Sequence, residues 1–436
     1  MASIKVETHW WRFVEECFRR EAGTQAPIPD PAQDLIETGV LDSMAWVSFL
    51  RTLESASGVS DLGTLLTERT PSFESIFQAF KAAQIKTQTE IPTGSPSQNA
   101  DSSSTNPSIT RTPTILASSC ATVGSRTISS EDVERAFGMP ESKLRLRAGI
   151  ESLAYAAEDE NELTLGARAA QQTLHAAACG AQELDWIIAT SETHRGYPSL
   201  AAQLHSRLLA RETCAALDVG GACLGLLNGL AVAQGLIGSG QARTIAVITS
   251  DVHSRIFTPG RVAGEFGGLF GDGASAFLLR AKNASTPQQS YALGEFFFGC
   301  AGQYAGAIRV ADAPNGDLDV HFDGEALSRA AITRMEKVIL DVELRSGLPR
   351  SSVQGLATHQ PNPRLVALLA KQLDLPLDKF PSVARTCGNL GSSTCGVALD
   401  AILHSAMSHQ TNHHGPIFLA SLGPGLLYGG GWLVPA

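Results

Sequence analysis

The chain has 436 residues, 43% of them hydrophobic, and a formal net charge of -10. That length implies two or three folding units with a sizeable core. The negative charge argues against nucleic acid as a partner and suits contact with a basic patch on another protein. No apolar run reaches bilayer length and no basic start precedes an apolar stretch, so no membrane span and no signal peptide are expected, and the chain reads as cytoplasmic. The eight cysteines, at positions 17, 120, 179, 214, 223, 300, 387 and 395, are scattered and form no C-x-x-C pair. They suggest neither a disulfide framework nor a zinc site, and no metal is expected.

From the N-terminus, THWWRFVEECFRRE places Trp11, Val14 and Phe18 on one helical face. The proline-containing loop APIPDPAQDLIETGV follows. Asp42, Ser43 and Met44 then lead into AWVSFLRTLESASG, a second amphipathic helix closed by Gly58. Pro71 and Ser72 open a last helix, FESIFQAFKAA. Residues 1–87 are thus expected to form a small all-α bundle. Taken alone, Ser43 is a helix N-cap. In this context the unit resembles an acyl or peptidyl carrier protein, with its long first loop and D-S-[LM] at the head of helix two; Met44 stands where Leu is commoner. The resemblance implies 4′-phosphopantetheine attached to Ser43, its phosphate favoured by the helix N-terminus, and a phosphopantetheinyl transferase as a partner.

Residues 88–112 are rich in Ser, Thr, Pro, Asn and Gln, without an aromatic residue, and read as a flexible linker. Beyond them, apolar β-branched runs alternate with alanine-rich helical stretches. DWIIAT at 185–190 and TIAVIT at 244–249 read as buried strands. ELTLGARAAQQTLHAAAC, PSLAAQLHSRLLA and LGLLNGLAVAQGLIGSG read as helices, and a second such run follows residue 284. The pattern predicts α/β layers with mostly parallel sheets, in two halves of about 113–283 and 284–436.

ALDVGGACLGLLNGL reads as strand, tight glycine turn and helix, with Cys223 at the helix N-terminus. There the dipole and unpaired N–H groups favour a thiolate, and the Cys223 N–H could serve an oxyanion hole. The segment alone also fits a buried capping cysteine. LATHQPNPR puts His359 at the end of an apolar strand, and TCGNLGSS puts Asn389 in a glycine-rich turn before a helix.

Together these segments resemble β-ketoacyl-acyl-carrier-protein synthase III. The matching motifs are RAGI at 147–150, ACLG at 222–225, SDV at 250–252, LFGDGASAFLL at 269–279, HQPNPR at 359–364 and GNLGSS at 388–393. The resemblance spans residues 113–436. It implies a duplicated five-layered αβαβα thiolase fold, usually homodimeric, and a triad of Cys223, His359 and Asn389. Cys223 would accept an acyl group from coenzyme A or a carrier. His359 and Asn389 would stabilise the enolate left when a malonyl thioester loses CO2, in a decarboxylative Claisen condensation serving polyketide, fatty-acid-like or other secondary metabolism.

By the same resemblance Arg364 would help dock an acyl carrier protein, the chain's own or one in trans. Tyr197 would shape a partner subunit's acyl pocket, and Asn362 would be structural. The loop SLGPGLLYGGG at 421–431 would supply a second oxyanion donor through Gly423 or Gly425, since Pro424 has no N–H. Lys143 stands where many relatives stack a Trp on the adenine of coenzyme A, which favours carrier-bound substrates. Two other readings share these residues: acyl transfer to an alcohol, amine or carrier without decarboxylation, and a catalytically silent scaffold around the fused carrier.

Overall fold

The computed structural model describes residues 112–283, 290–313, 318–408 and 415–436, and in the N-terminal region residues 14–15, 17–19, 28–30, 32–35, 41, 45–46, 48–50, 52–53 and 72–78. Ser43, Trp11 and nearly all of the segment 88–112 lie outside the described residues. The chain divides into two compact units, Met1–Ile109 with Gly324–Ala330, and Thr110–Asp323 with Ala331–Ala436.

In the first unit the described segments are chiefly helical, at 14–15, 17–19, 45–46, 48–50, 52–53 and 73–78. Trp46, Phe49, Leu50 and Leu53 recur at helical spacing and are buried with Val14, Phe18, Leu35, Phe73 and Ile76. Phe18 meets the rings of Phe49 and Phe73 edge-on at 5.8 and 5.3 Å, a favourable aromatic geometry.

The second unit is built on one mixed sheet. Its strands are β1 (Thr114–Val123), β4 (Trp186–Thr190), β5 (Ala215–Asp218), β6 (Thr244–Val252), β7 (Asp272–Ala281), β8 (Tyr291–Leu293), β9 (Phe297–Cys300), β12 (Gly355–Thr358), β13 (Ile417–Gly423) and β14 (Leu427–Pro435). Two small pairs, β2 (Arg126–Ser129) with β3 (Ser152–Tyr155) and β10 (Ile308–Asp312) with β11 (Leu318–Phe322), stand apart. The strand order is β12-β13-β14-β8-β1-β7-β6-β4-β5, with β9 beside β14. The halves meet at a short seam, where Ile115 and Leu116 of β1 pair Ala292 and Tyr291 of β8.

Among the described residues of this unit the longer helices are α1 (Ser130–Phe137), α2 (Glu162–Ala176), α3 (Leu200–Leu208), α4 (Gly225–Gly238), α5 (Gly324–Ser346), α6 (Pro363–Gln372) and α7 (Thr394–Ser408). Strand alternation sorts them into layers. Ile188, Ile245, Val247, Phe277 and Leu279 face a core shared with α4, α7 and residues of β12, β13 and β14. Their neighbours Ile187, Ala189, Ala246, Ile248, Ala276 and Leu278 face α2 and α3. On the far side, a Cβ on Gly430 of β14 would meet Val338 and Val342 of α5 at 2.9 and 2.7 Å. The result is α2/α3, sheet, α4/α7, sheet, α5: the five layers expected.

The expectation of mostly parallel sheets is corrected. β4 runs parallel to β5 and β6, and β12 to β13, but β6–β7, β7–β1, β13–β14, β14–β8 and β14–β9 are antiparallel. Parallel neighbours need a crossover helix. The links β6–β7 and β13–β14 contain none of that length, so these strands turn back on themselves.

The central helices touch their sheets at glycine. A Cβ on Gly225 would stand 2.0 Å from Thr190 Oγ1 and 3.0 Å from Thr190 Cβ, and one on Gly396 would stand 2.0 Å from Ser275 Oγ. Gly225→Ala is therefore expected to push the first turn of α4 off β4 and to cost about 1–3 kcal/mol by overpacking. Denaturant unfolding monitored at two wavelengths measures this, and an unchanged midpoint would contradict the packing described.

Candidate active site

β5 ends at Asp218, and the chain reverses through two positive-φ positions before α4: Gly221 at φ 127°, where glycine is at ease, and Ala222 at φ 49°. An alanine at positive φ is uncommon and is held by its surroundings. Here Leu224 N–H donates to Gly221 O at 3.0 Å, the Asn228 amide donates to Gly220 O at 2.9 Å, and Ser421 Oγ donates to Cys223 O at 2.7 Å. Cys223 is left 8% exposed at the head of the central helix. The end of β13 closes over this turn. A Cβ on Gly423 would stand 2.9 Å from Gly221 O and 3.7 Å from the Cys223 amide nitrogen, so only glycine allows the approach. Pro424 follows, and Gly425 adopts φ 78°.

His359 leaves the end of β12 with its N–H donated to Ala420 O at 3.0 Å. Gln360 pins the strand end by donating to Pro381 O at 2.6 Å and accepting from Val383 N–H at 3.1 Å. Asn362 caps α6, accepting from Leu365 N–H at 2.9 Å, the structural part expected of it. The imidazole is buried and its Nδ1 has no hydrogen-bond partner. Burial lowers its pKa to about 4, so the ring is neutral at pH 7.

Asn389 bridges backbone to the start of the β7 region, donating N–H to Leu269 O at 2.8 Å and accepting from Gly271 N–H at 2.9 Å. Its Oδ1 accepts from Gly391 N–H at 3.0 Å and Thr394 Oγ1 at 3.2 Å. With the carbonyl engaged, the NH2 face is the one left to donate. The turns Ala222–Leu224 and Gly391–Ser393 pack against each other, bringing the cysteine and asparagine loops together.

Three further groups lie near these: Asp251 and His253, both buried, and Glu192, half-buried. Asp251, at the end of β6, accepts from Glu192 N–H and from Ser392 Oγ, each at 2.6 Å. Glu192 Oε2 lies 3.6 Å from His253 Nε2, and His253 Nδ1 is 3.1 Å from Gly271 O. The Glu192 carboxylate also acts on the Cys223 thiol and, through its charge, on His359. Burial would lower the His253 pKa, but the adjoining Glu192 carboxylate, helped by the charge of Asp251, outweighs it and raises the value to about 9. Burial and the Glu192 charge raise Asp251 to about 6. Glu192 itself is held below the ordinary carboxylate range despite its burial, through His253. Burial, reinforced by Glu192, pushes the Cys223 thiol well above the usual range. The resting thiolate expected from the helix N-terminus is therefore not favoured.

Sequence reasoning did not select Glu192 or His253. His253 follows the SDV motif by one residue, and Glu192 follows strand β4 by two; the strand-end rule that drew attention to His359 would have found it. The remaining expected residues lie apart from the cluster. Arg364 is exposed on the first turn of α6, next to the RAGI turn, where a Cβ on Gly149 would be 3.7 Å from its Cγ. Tyr197, before a cis Tyr197–Pro198 bond, is 102% exposed. Lys143 pairs with Glu265 at 2.7 Å. Among the described residues no cluster of three His, Cys, Asp or Glu could hold a metal, and no helix is long and apolar enough to cross a membrane.

The family model for 3-oxoacyl-[acyl-carrier-protein] synthase III matches residues 217–299, and that for its C-terminal part matches residues 344–434. The chain is 30% identical over 313 residues to the β-ketoacyl-[acyl-carrier-protein] synthase III of Haemophilus ducreyi, covering 70% of this chain and 92% of that protein. The crystal structure of 3-oxoacyl-(acyl carrier protein) synthase III from Pseudomonas aeruginosa superimposes with a TM-score of 0.66 at 25% identity, covering 74% of this chain and 99% of that one. The priming β-ketosynthase of the R1128 polyketide pathway gives a TM-score of 0.66 at 23% identity, covering 74% and 97%.

The buried ionisable groups set a pH window for stability. His253 has a folded-state pKa of about 9, above its unfolded value of 6.5, so its contribution is complete below pH 6.5 and lost as pH rises through 9. His359, at about 4 when folded, gives the opposite limb: stability falls as pH drops from 6.5 towards 4. The thermal midpoint should peak between these limbs. His253→Gln should flatten the alkaline one, worth up to about 3 kcal/mol from the size of the shift. A midpoint unchanged from pH 7 to 9.5 in the parent protein would contradict a buried imidazolium.

Proposed function

We propose a reaction for this chain from the fact that it belongs to the β-ketoacyl-acyl-carrier-protein synthase III family and is therefore an acyltransferase. Cys223 is loaded with an acyl group, and the acyl enzyme is condensed with a malonyl-type thioester. In the loading step Sγ attacks the thioester carbonyl. The Cys223 N–H and a donor from the glycine loop at Gly423 and Gly425 receive the developing oxyanion. In the second step the malonyl thioester carbonyl accepts hydrogen bonds from His359 and Asn389, CO2 leaves, and the enolate carbon attacks the acyl–Cys223 carbonyl. A β-ketoacyl thioester forms and the cysteine is freed.

One observation carries this reading. Beside the nucleophile stands a neutral imidazole with an unpaired nitrogen, together with an asparagine whose carbonyl is fully engaged. Two neutral donors in a buried pocket favour an enolate oxygen without first binding an anion as tightly. A second reading, acyl transfer to a hydroxyl or amine without decarboxylation, is favoured by Glu192, whose ionised carboxylate in the pocket opposes a second carboxylate there.

The wider reading extends to the N-terminal unit. Ser43 would carry 4′-phosphopantetheine, installed by a phosphopantetheinyl transferase, and this tethered carrier would present one thioester substrate. Arg364 would receive a carrier protein, and Tyr197 would enter the acyl pocket of a second subunit in a cytoplasmic homodimer. Support for these assignments comes from the D-S-M motif, from the exposure of both residues and from the family pattern.

Intact protein and Cys223→Ala, incubated with acyl and malonyl thioesters, test the reaction. CO2 release coupled to product, present only in the intact protein, is expected, whereas acyl loss without CO2 rejects condensation in favour of the second reading. His359→Ala and Asn389→Ala should each lower CO2 release by about 10²–10³-fold while Cys223 still acquires an acyl adduct. Intact mass after treatment with a competent transferase should show a phosphopantetheine increment lost in Ser43→Ala; no increment removes the carrier assignment.

A further inference from the structure

The loading step leaves a proton without a destination. Cys223 sits behind a buried turn, and its thiol is held protonated at rest. His359 is the obvious base by position, but the proposed condensation uses it as the donor to the second thioester carbonyl. Glu192 is differently placed. Its carboxylate is near enough to the Cys223 thiol to oppose ionisation of that thiol, and its Oε1 is buried with no hydrogen-bond partner. Oε2 faces His253 Nε2 at 3.6 Å. The Asn389 loop closes the other side, where a Cβ on Gly391 would stand 2.9 Å from Glu192 Oε1 and 2.9 Å from His253 Nε2, so only glycine fits there. A buried carboxylate oxygen with no donor is costly and rare, and is a mark of chemistry rather than of packing.

From this geometry we infer that Glu192 is the general base and acid of acyl loading, and that His253 is the residue that positions it. As Sγ attacks the acyl thioester, the S–H bond breaks and its proton passes to Glu192. The new C–S bond forms, the tetrahedral intermediate collapses, and the bond to the departing thiol breaks. The carboxylic acid then returns the proton to that thiolate, so acyl–Cys223 and a free thiol are made and Glu192 is regenerated. The same base can serve a hydroxyl or amine attacking the acyl enzyme. His253 supplies the opposite charge that keeps Glu192 ionised in a buried pocket, and its Nδ1–H is fixed on Gly271 O. The other charged or titratable groups facing the pair are Asp251 from the end of β6, Asp272 from the start of β7, Cys223 and His359. The inference rests on the acyl-cysteine step of the proposed function and adds the route of its proton.

Single-turnover formation of acyl–Cys223, followed by intact mass between pH 6 and 9.5, tests it. Glu192→Gln is expected to load about 10²-fold more slowly at pH 7, with the deficit narrowing towards pH 9.5 as hydroxide removes the thiol proton unaided. Glu192→Asp keeps the charge that balances His253, and so the fold, but withdraws the carboxylate by one methylene; it should load at least about tenfold more slowly. His253→Gln should move the acid limb of the loading rate to higher pH, which lost packing alone would not do. Equal or faster loading by Glu192→Gln overturns the inference, because the carboxylate would then merely suppress the thiolate. A deficit independent of pH overturns it too, as does unchanged loading by Glu192→Asp. If the parent protein forms no acyl adduct at all, the proposed function fails first, and that result is distinct from any of these.

Discussion

The site depends on one buried carboxylate. Asp251 accepts from the backbone N–H of Glu192, from Ser191 Oγ at 3.3 Å and from Ser392 Oγ at 2.6 Å. It thereby fastens the loop after β4 to the end of β6 and to the turn that follows Asn389. Asp272, at the start of β7, repeats the device, accepting from Ala156 N–H at 2.7 Å and from the backbone and hydroxyl of Ser254. Charge-assisted bonds of this kind are short and directional. With them in place, the groups that do the chemistry are held by backbone and by carboxylates that need not react.

Those bonds can form because of where the strands end. Glu192 follows β4, Cys223 follows β5, Asp251 lies at the end of β6 and His253 just beyond it, His359 follows β12 and Gly423 ends β13. All lie at the C-terminal ends of the parallel strands, the end at which α/β sheets collect ligands. The antiparallel returns β7 and β14 bring the chain back without using that end again, except to lend Gly271 O to His253 and the glycine loop to Cys223. The mixed sheet is therefore not a defect of the α/β pattern. It lets two short parallel sets present their active ends to one pocket across a shared layer of two helices.

Why some of this was legible in the sequence follows from range. Cys223, His359 and Asn389 each sit in a local pattern of glycine turn or strand end, and their motifs can be seen within ten residues. The amphipathic spacing of Trp46, Phe49 and Leu53 likewise marks a helix from its own sequence. Glu192 and His253 have no such pattern. They meet because β4 and β6 run parallel with Thr190 opposite Thr249, which carries residue 192 alongside residues 251 and 253. A register between strands separated by two crossovers is not written in either segment. The direction of the sheet is illegible for a related reason: the β6–β7 and β13–β14 links lack a long helix, and these strands turn back antiparallel.

Electrostatics explains why the cysteine differs from its sequence expectation. A helix N-terminus stabilises an anion by about 0.3–1 kcal/mol, and by about 2 in favourable partly buried geometry. Full burial can shift an ionisable group by about 3–5 pKa units, roughly 4–7 kcal/mol. Burial therefore wins at Cys223, and the adjoining Glu192 charge adds to it. The same low-polarity pocket keeps His359 neutral and forces Glu192 and His253 to ionise as a pair, since either alone would be a lone buried charge. A protonated thiol is less reactive towards stray electrophiles than a thiolate. The arrangement moves activation from the resting enzyme to the moment of attack, which is where a carboxylate beside the thiol has its effect.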